Sequence, residues 1–215
     1  MTLIEQLNAV IIAIAKDISN NSGGSGSTDN SDITVLLPRK IGASQKWYQS
    51  GLRYSAEYPY PYTSSVGYCS SGAQYFMPFT ALEDATITTL EIQCNNAQAN
   101  ATIHLGIYAS DSNNDVAAPL FTSDPISCST SGIKNASCNV QIVKGKVYWL
   151  SMLPIGTLAF YRNAQDSLFP IKGSASASSM SPIGYYTINN TSMTQSAPTS
   201  KLDVYGSLPR VMFVT

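Results

Sequence analysis

A chain of 215 residues is long enough for one domain with an appendage, and 44% hydrophobic residues with 13 tyrosines exclude a disordered chain. Its 12 basic and 13 acidic side chains give a net charge of −1, which excludes the basic footprint of a nucleic-acid binder or a polybasic membrane anchor. Charged residues are only 12% of the chain, against roughly 25% in an average soluble domain, and 30 Ser, 17 Thr and 14 Asn supply the polarity instead.

The chain opens on a helix signal. Thr2 followed by Glu5 forms a capping-box pair that satisfies orphan amides. Ile4, Leu7, Ile11, Ile14 and Ile18 then fall at spacings of 3, 4, 3 and 4, the a and d positions of a heptad seam. Ile at both a and d favours trimers or tetramers over dimers. A helix over 1–18 is too short to stand alone in water, so its seam needs copies of itself or a socket on another protein. No Lys or Arg precedes the apolar run, which argues against a signal peptide, and no stretch of about 18 apolar residues is available to insert into a membrane. Residues 19–32, SNNSGGSGSTDNSD, contain no apolar side chain and are expected to form a flexible linker.

From residue 33 to 215 the pattern is β. Short runs rich in Val, Ile, Thr, Tyr and Phe occur at 33–37, 73–79, 85–93, 101–108, 138–143, 146–153, 183–188 and 211–214. In the 101–108 run, Ile103, Leu105 and Ile107 share one face while Thr102, His104 and Tyr108 share the other, the mark of a half-buried strand. Ile87, Leu90 and Ile92 break the alternation and point to a bulge. Gly145 within 143–147 suggests a hairpin turn. Residues 111–115 and 129–137 are expected as polar loops, and the low-complexity stretch 174–181 as a surface loop. Many short strands with regular turn signals define a mainly β, jelly-roll-like β-sandwich, preceded by the short helix and its linker.

Little of the sequence suggests catalysis. The acids Glu57, Glu83, Asp84, Glu91, Asp111, Asp115, Asp124, Asp166 and Asp203 fall in no recognisable catalytic motif. The single histidine, His104, lies mid-strand, and no G-x-S-x-G elbow is present. Asp111, Asn113 and Asp115 alternate as calcium ligands do, but Val116 and Thr122 stand where an EF-hand needs Gly and Glu, so an Asx turn explains them. No metal and no cofactor is expected. Cys69, Cys94, Cys128 and Cys138 form no C-x-x-C pattern. They read as small buried thiols; Cys128 and Cys138 could staple a loop, and 3 full pairings are open.

The suggestive surface signal is aromatic. Trp47 and Tyr48 are followed by Tyr54, Tyr58, Tyr60, Tyr62 and Tyr68. The prolines of Tyr58-Pro-Tyr-Pro-Tyr62 exclude a helix or central strand and put three rings on one side of an extended segment. Trp47, Tyr48, Tyr58, Tyr60 and Tyr62 are therefore candidates for binding a glycan or receptor, with subunit contact or packing over the sandwich edge as the competing explanation. Trp149, inside a strand, is expected in the core.

These residues also carry a resemblance. Val10-Ile-Ile-Ala-Ile-Ala-Lys-Asp-Ile18 resembles the short N-terminal helices of tailed-bacteriophage fibre and adhesion proteins. Tyr75-Phe-Met-Pro-Phe79, Ala85-Thr-Ile-Thr-Thr-Leu-Glu-Ile92, His104-Leu-Gly-Ile-Tyr108, Gly145-Lys-Val-Tyr-Trp-Leu150 and Leu208-Pro-Arg-Val-Met-Phe213 resemble in order and spacing a β-sandwich domain of phage tail and head fibres. The resemblance implies a homotrimeric, non-enzymatic virion protein assembled in the host cytoplasm. Its helix would dock to other virion proteins and its head would meet a host-surface glycan. The alternatives are capsid decoration or cement without a receptor, and a carbohydrate-binding module of a cellular protein.

Overall fold

Runs of β-branched and aromatic residues, bounded by Gly, Pro and Asx turns, become strands throughout the computed structural model, which describes residues 47–55, 65–163, 184–204 and 208–215. The helix expected over 1–18 with Ile4, Leu7, Ile11, Ile14 and Ile18, the linker 19–32, the run 33–37, Tyr58, Tyr60, Tyr62 and the loop 174–181 lie outside these residues. Among the described residues the chain is mainly β, without a helix.

Every strand pairing is antiparallel, and the strands form two sheets, as in a β-sandwich. The first sheet holds β1 (Arg53–Ser55), β2 (Ser65–Cys69), β4 (Ala85–Cys94), β8 (Gly132–Ile142), β10 (Leu158–Asn163), β13 (Leu208–Pro209) and β14 (Met212–Val214). The second holds β3 (Gln74–Thr80), β5 (Thr102–Ser110), β6 (Val116–Thr122), β7 (Ile126–Ser127), β9 (Val147–Ile155), β11 (Gly184–Thr187) and β12 (Leu202–Val204). Ile87, Leu90, Ile92, Phe160 and Phe213 of the first sheet share one core with Ile103, Leu105, Ile107, Leu150 and Met152 of the second. Side chains of this kind contribute about 1.5–3 kcal/mol each when fully buried, which makes this shared layer the main adhesive of the fold.

The break in alternation near Ile87 is a real bulge: the β4–β8 register shifts between Ile87 and Thr89. The extra residue lies on β8, where Val140 to Ser137 spans what Ile87 to Thr89 spans on β4, and Ile87 and Leu90 both sit in the core. Three expectations are corrected. Residues 129–137 are not a loop throughout, because β8 begins at Gly132 and pairs with β4 from Cys94 down to Ala85. The turn at 143–147 exists, with Gly145 at φ 79°, but it is no hairpin. It carries the chain from β8 in the first sheet to β9 in the second, and hydrogen bonds to both polar groups of Ala81 and to the Asp84 carboxylate pin it there.

The third correction concerns β5. Its two faces divide as expected, yet the strand is not half-buried, since all six residues from Ile103 to Tyr108 are buried. The outer face of the second sheet carries a smaller core of Phe76, Tyr108, Val116, Trp149, Leu153, Tyr185 and Met193. Residues 188–201 form a strap over it. Met193 sits above Gly106, where an added Cβ would meet its Cε at 2.6 Å, which explains a glycine in mid-strand. Trp149 is fully buried as expected, stacked on Tyr185, with its indole N–H donating to Ser110 Oγ at 3.1 Å.

The strap is held by a buried polar network. Gln74 Nε2 donates to Tyr108 Oη at 2.9 Å and Ser151 Oγ at 3.0 Å. Gln74 Oε1 accepts from Thr194 N at 3.1 Å, and Tyr108 Oη donates to the Thr194 carbonyl at 2.6 Å. Lys201 ends the strap, 4.9 Å over the Tyr185 ring and 2.6 Å from Asp115 Oδ1.

Candidate functional site

Of the five aromatic residues proposed for binding, only Trp47 and Tyr48 lie within the described residues. Trp47 is partly exposed. Tyr48 is a core residue, and its place in a binding patch is corrected. Its ring meets Tyr54 and Phe213 edge-on, at centroid distances of 4.9 and 5.5 Å. Its hydroxyl accepts from Leu82 N at 3.1 Å, and its own N–H donates to Glu83 Oε1 at 2.7 Å. A ring whose polar tip reaches a backbone amide is well placed inside, and burial pushes the phenol pKa above its ordinary value.

Among the described residues the strongly exposed aromatic is instead Tyr68, on β2. It is 67% exposed, and Val66 beside it is 50% exposed. Alternation turns Gly67 and Cys69 inward and these two outward. Across the ladder, Tyr68 pairs with Ala159 and Val66 with Tyr161. The Arg210 guanidinium lies 5.3 Å from the Tyr161 ring centre, so this corner of the first sheet offers rings, an aliphatic surface and a cation together.

Along the same outer face runs an uncharged polar ladder. On β8, Asn135, Ser137, Asn139 and Gln141 are exposed while Cys138, Val140 and Ile142 turn toward the core. Thr89 and Gln93 of β4 face Ser137 and Ile133. Glu91 pairs with Asn135 and receives both Arg53 Nε and, at 3.1 Å, Arg53 Nη2. A charge-assisted bidentate contact of this kind fixes the carboxylate in the middle of the face. The surface thus combines hydroxyls, amides, aromatic edges and one internally matched ion pair.

Three further acids among the described residues are engaged with backbone amides or a lysine. Asp84 accepts from Lys144 N at 2.7 Å. Asp111 Oδ1 accepts from Asn113 N and Asp115 N at 2.8 and 2.9 Å, the Asx turn anticipated for this stretch. Asp115 accepts from Val116 N and pairs with Lys201. His104 is buried, with Nδ1 3.2 Å from the Ser123 carbonyl. The nearby Ser123 hydroxyl donates to the Asp124 carbonyl and accepts from Leu105 N, so it is engaged with backbone. Among the described residues no three His, Cys, Asp or Glu side chains come together as a metal site.

All four cysteines are reduced, three buried and Cys138 partly so. Burial pushes Cys69 and Cys138 up to about 11 and Cys128 to about 12, far from the range of a reactive thiolate. Compared with known proteins, the chain matches no family model and no curated protein sequence.

The sequence reading missed Tyr161, Arg210 and the β8 ladder. The signal for the ladder was present, since Asn135, Ser137, Asn139 and Gln141 alternate with Ala136, Cys138, Val140 and Ile142. A high density of polar residues masked it.

Proposed function

We propose that the chain is a non-enzymatic structural protein of a bacteriophage virion, a fibre or spike that presents a jelly-roll-like β-sandwich head to a host-surface glycan. In this reading the helix over 1–18 docks or trimerises through Ile4, Leu7, Ile11, Ile14 and Ile18, and residues 19–32 tether the head. The carrying observation is the outer face of the first sheet. It presents Tyr68 on β2 and, beyond β10 and β4, a ladder of Asn, Ser and Gln on β8, a composition suited to sugar rings with apolar faces and hydroxyl rims. Trimerisation would let weak sites act together through avidity. Trp47, Tyr58, Tyr60 and Tyr62 remain candidate contacts for the same ligand.

The test uses the full chain, with light scattering for mass and a glycan array for binding. A trimer that binds the array, and loses binding in Tyr68→Ala, is the expected result. Ile11→Asp, which places a charge in the seam, should reduce the trimer to monomers that keep the β fold. A wild-type monomer that turns over a polysaccharide overturns the reading. A folded trimer that binds no glycan overturns the receptor role in favour of decoration.

A further inference from the structure

Cys94 ends β4 in the first sheet, and Cys128 follows β7 at the edge of the second. Both are fully buried in the core that the sheets share. The segment that follows Cys94 is clasped to Cys128: Gln98 N donates to the Cys128 carbonyl at 3.0 Å, and Cys128 N donates to the Ala101 carbonyl at 2.9 Å. The segment 95–101, which follows Cys94, thus folds back onto Cys128. Within the clasp Cys94 donates its S–H to the Asn96 carbonyl at 2.9 Å. The Cys128 thiol donates to the Ile126 carbonyl at 3.9 Å, and burial together with the neighbouring Cys94 pushes its pKa up.

The other two thiols are occupied elsewhere. Cys138 donates to the Ile87 carbonyl at 3.4 Å, and Cys69 contacts the Tyr75 hydroxyl. Of the pairings open to the sequence, the fold brings together Cys94 and Cys128, not Cys128 and Cys138.

We propose that Cys94 and Cys128 are an oxidation site, closed by a small-molecule disulfide such as oxidised glutathione into a bond that ties the two sheets. One cysteine thiolate attacks a glutathione sulfur, forming a mixed disulfide and releasing one glutathione thiolate. The second cysteine thiolate then attacks the protein sulfur and releases the other glutathione. Two cysteine protons end on two reduced glutathiones, so the protein loses two hydrogens and the reagent disulfide gains them. With both thiols fully buried, reaction requires the 95–101 clasp to open, and native protein reacts slowly.

The full chain, reduced and freed of reductant without oxygen, is incubated with oxidised glutathione at about pH 8.5, with and without sub-denaturing urea. Peptide mapping without reductant should show one crosslink, Cys94 to Cys128, formed faster in urea. The crosslink should persist in a Cys69→Ser/Cys138→Ser chain, which retains both partners and carries the test even where Cys128→Ser fails to fold. The oxidised protein should show about a hundredfold smaller unfolded fraction in urea, reversed by dithiothreitol. A Cys128–Cys138 crosslink, an arrested mixed disulfide, or four thiols still alkylatable in both arms each overturns the proposal.

Discussion

On the second sheet, the side chains turned away from the shared core include Phe76, Tyr108, Trp149 and Tyr185, and residues 188–201 lie over them. On the first sheet the equivalent positions of β8 are Asn135, Ser137, Asn139 and Gln141, and they stand exposed. Both sheets are antiparallel and belong to one β unit. What separates them is which half of the alternation is apolar. An antiparallel sheet can leave one face in water if that face is polar. Where both halves are apolar a second cover is required, and the strap supplies it. The β8 face is therefore a solvent-exposed polar surface, and the covered face is a second core.

The largest expected effect tests the covered face. Trp149→Ala removes a fully buried indole, its stack on Tyr185 and its bond to Ser110. Urea unfolding should show a loss of about 3–5 kcal/mol. A loss below about 1 kcal/mol would mean that the small outer core adds little and that the two faces are energetically alike.

Gln74→Leu addresses the strap more selectively. It removes the acceptor of Thr194 N–H and the donor shared by Tyr108 and Ser151, leaving buried polar groups unmatched. The expected cost is about 1–3 kcal/mol. Hydrogen exchange should accelerate across 190–196 while the β4–β8 ladder keeps its protection. Uniform acceleration everywhere would show that the strap and the shared core unfold as one unit.

These two positions also show why the sequence revealed the strands more readily than their surroundings. Period-2 alternation in 101–108 identified β5 and divided its faces correctly. It could not reveal that Tyr108 and Trp149 lie beneath a segment some 45 to 85 residues further on, because cover by a polar, irregular segment leaves no periodic trace. The candidate site suffered the same limit. Tyr48 and Tyr68 look alike in sequence, since a tyrosine suits an exposed edge and a core whose rim offers a backbone amide equally well. Only the pairing of Tyr68 with Ala159 on an outward-facing ladder, and of the Tyr48 hydroxyl with Leu82 N, tells them apart. The 143–147 turn was legible from Gly145, whereas its crossing between sheets depends on the distant partners Ala81 and Asp84.

A smaller effect is expected at the strap's end. Lys201→Met keeps the aliphatic stem and removes the charge that meets Asp115 and the Tyr185 ring. Both contacts are partly solvated, so the loss should be about 0.5–1 kcal/mol at low salt. It should shrink as salt is added, because screening weakens the wild-type pair. A loss independent of salt would assign the role of Lys201 to its stem rather than its charge.

The smallest effect on stability, and the sharpest on function, belongs to the bare face. Tyr68→Ala and Ser137→Ala remove exposed side chains from the first sheet without opening the core. Each should leave the unfolding free energy in urea titrations within about 0.5 kcal/mol of wild type. The Arg53–Glu91 pair gives an internal control on the same face. Arg53→Gln strips the cation from a buried carboxylate, so it should lower stability while Ser137→Ala beside it does not. If Tyr68→Ala destabilises the chain as much as Trp149→Ala, Tyr68 is structural and the first sheet has no free face. If it leaves stability unchanged and abolishes glycan retention, the difference between the faces is functional: one apolar alternation is covered to hold the fold, and one polar alternation stays open to meet a partner.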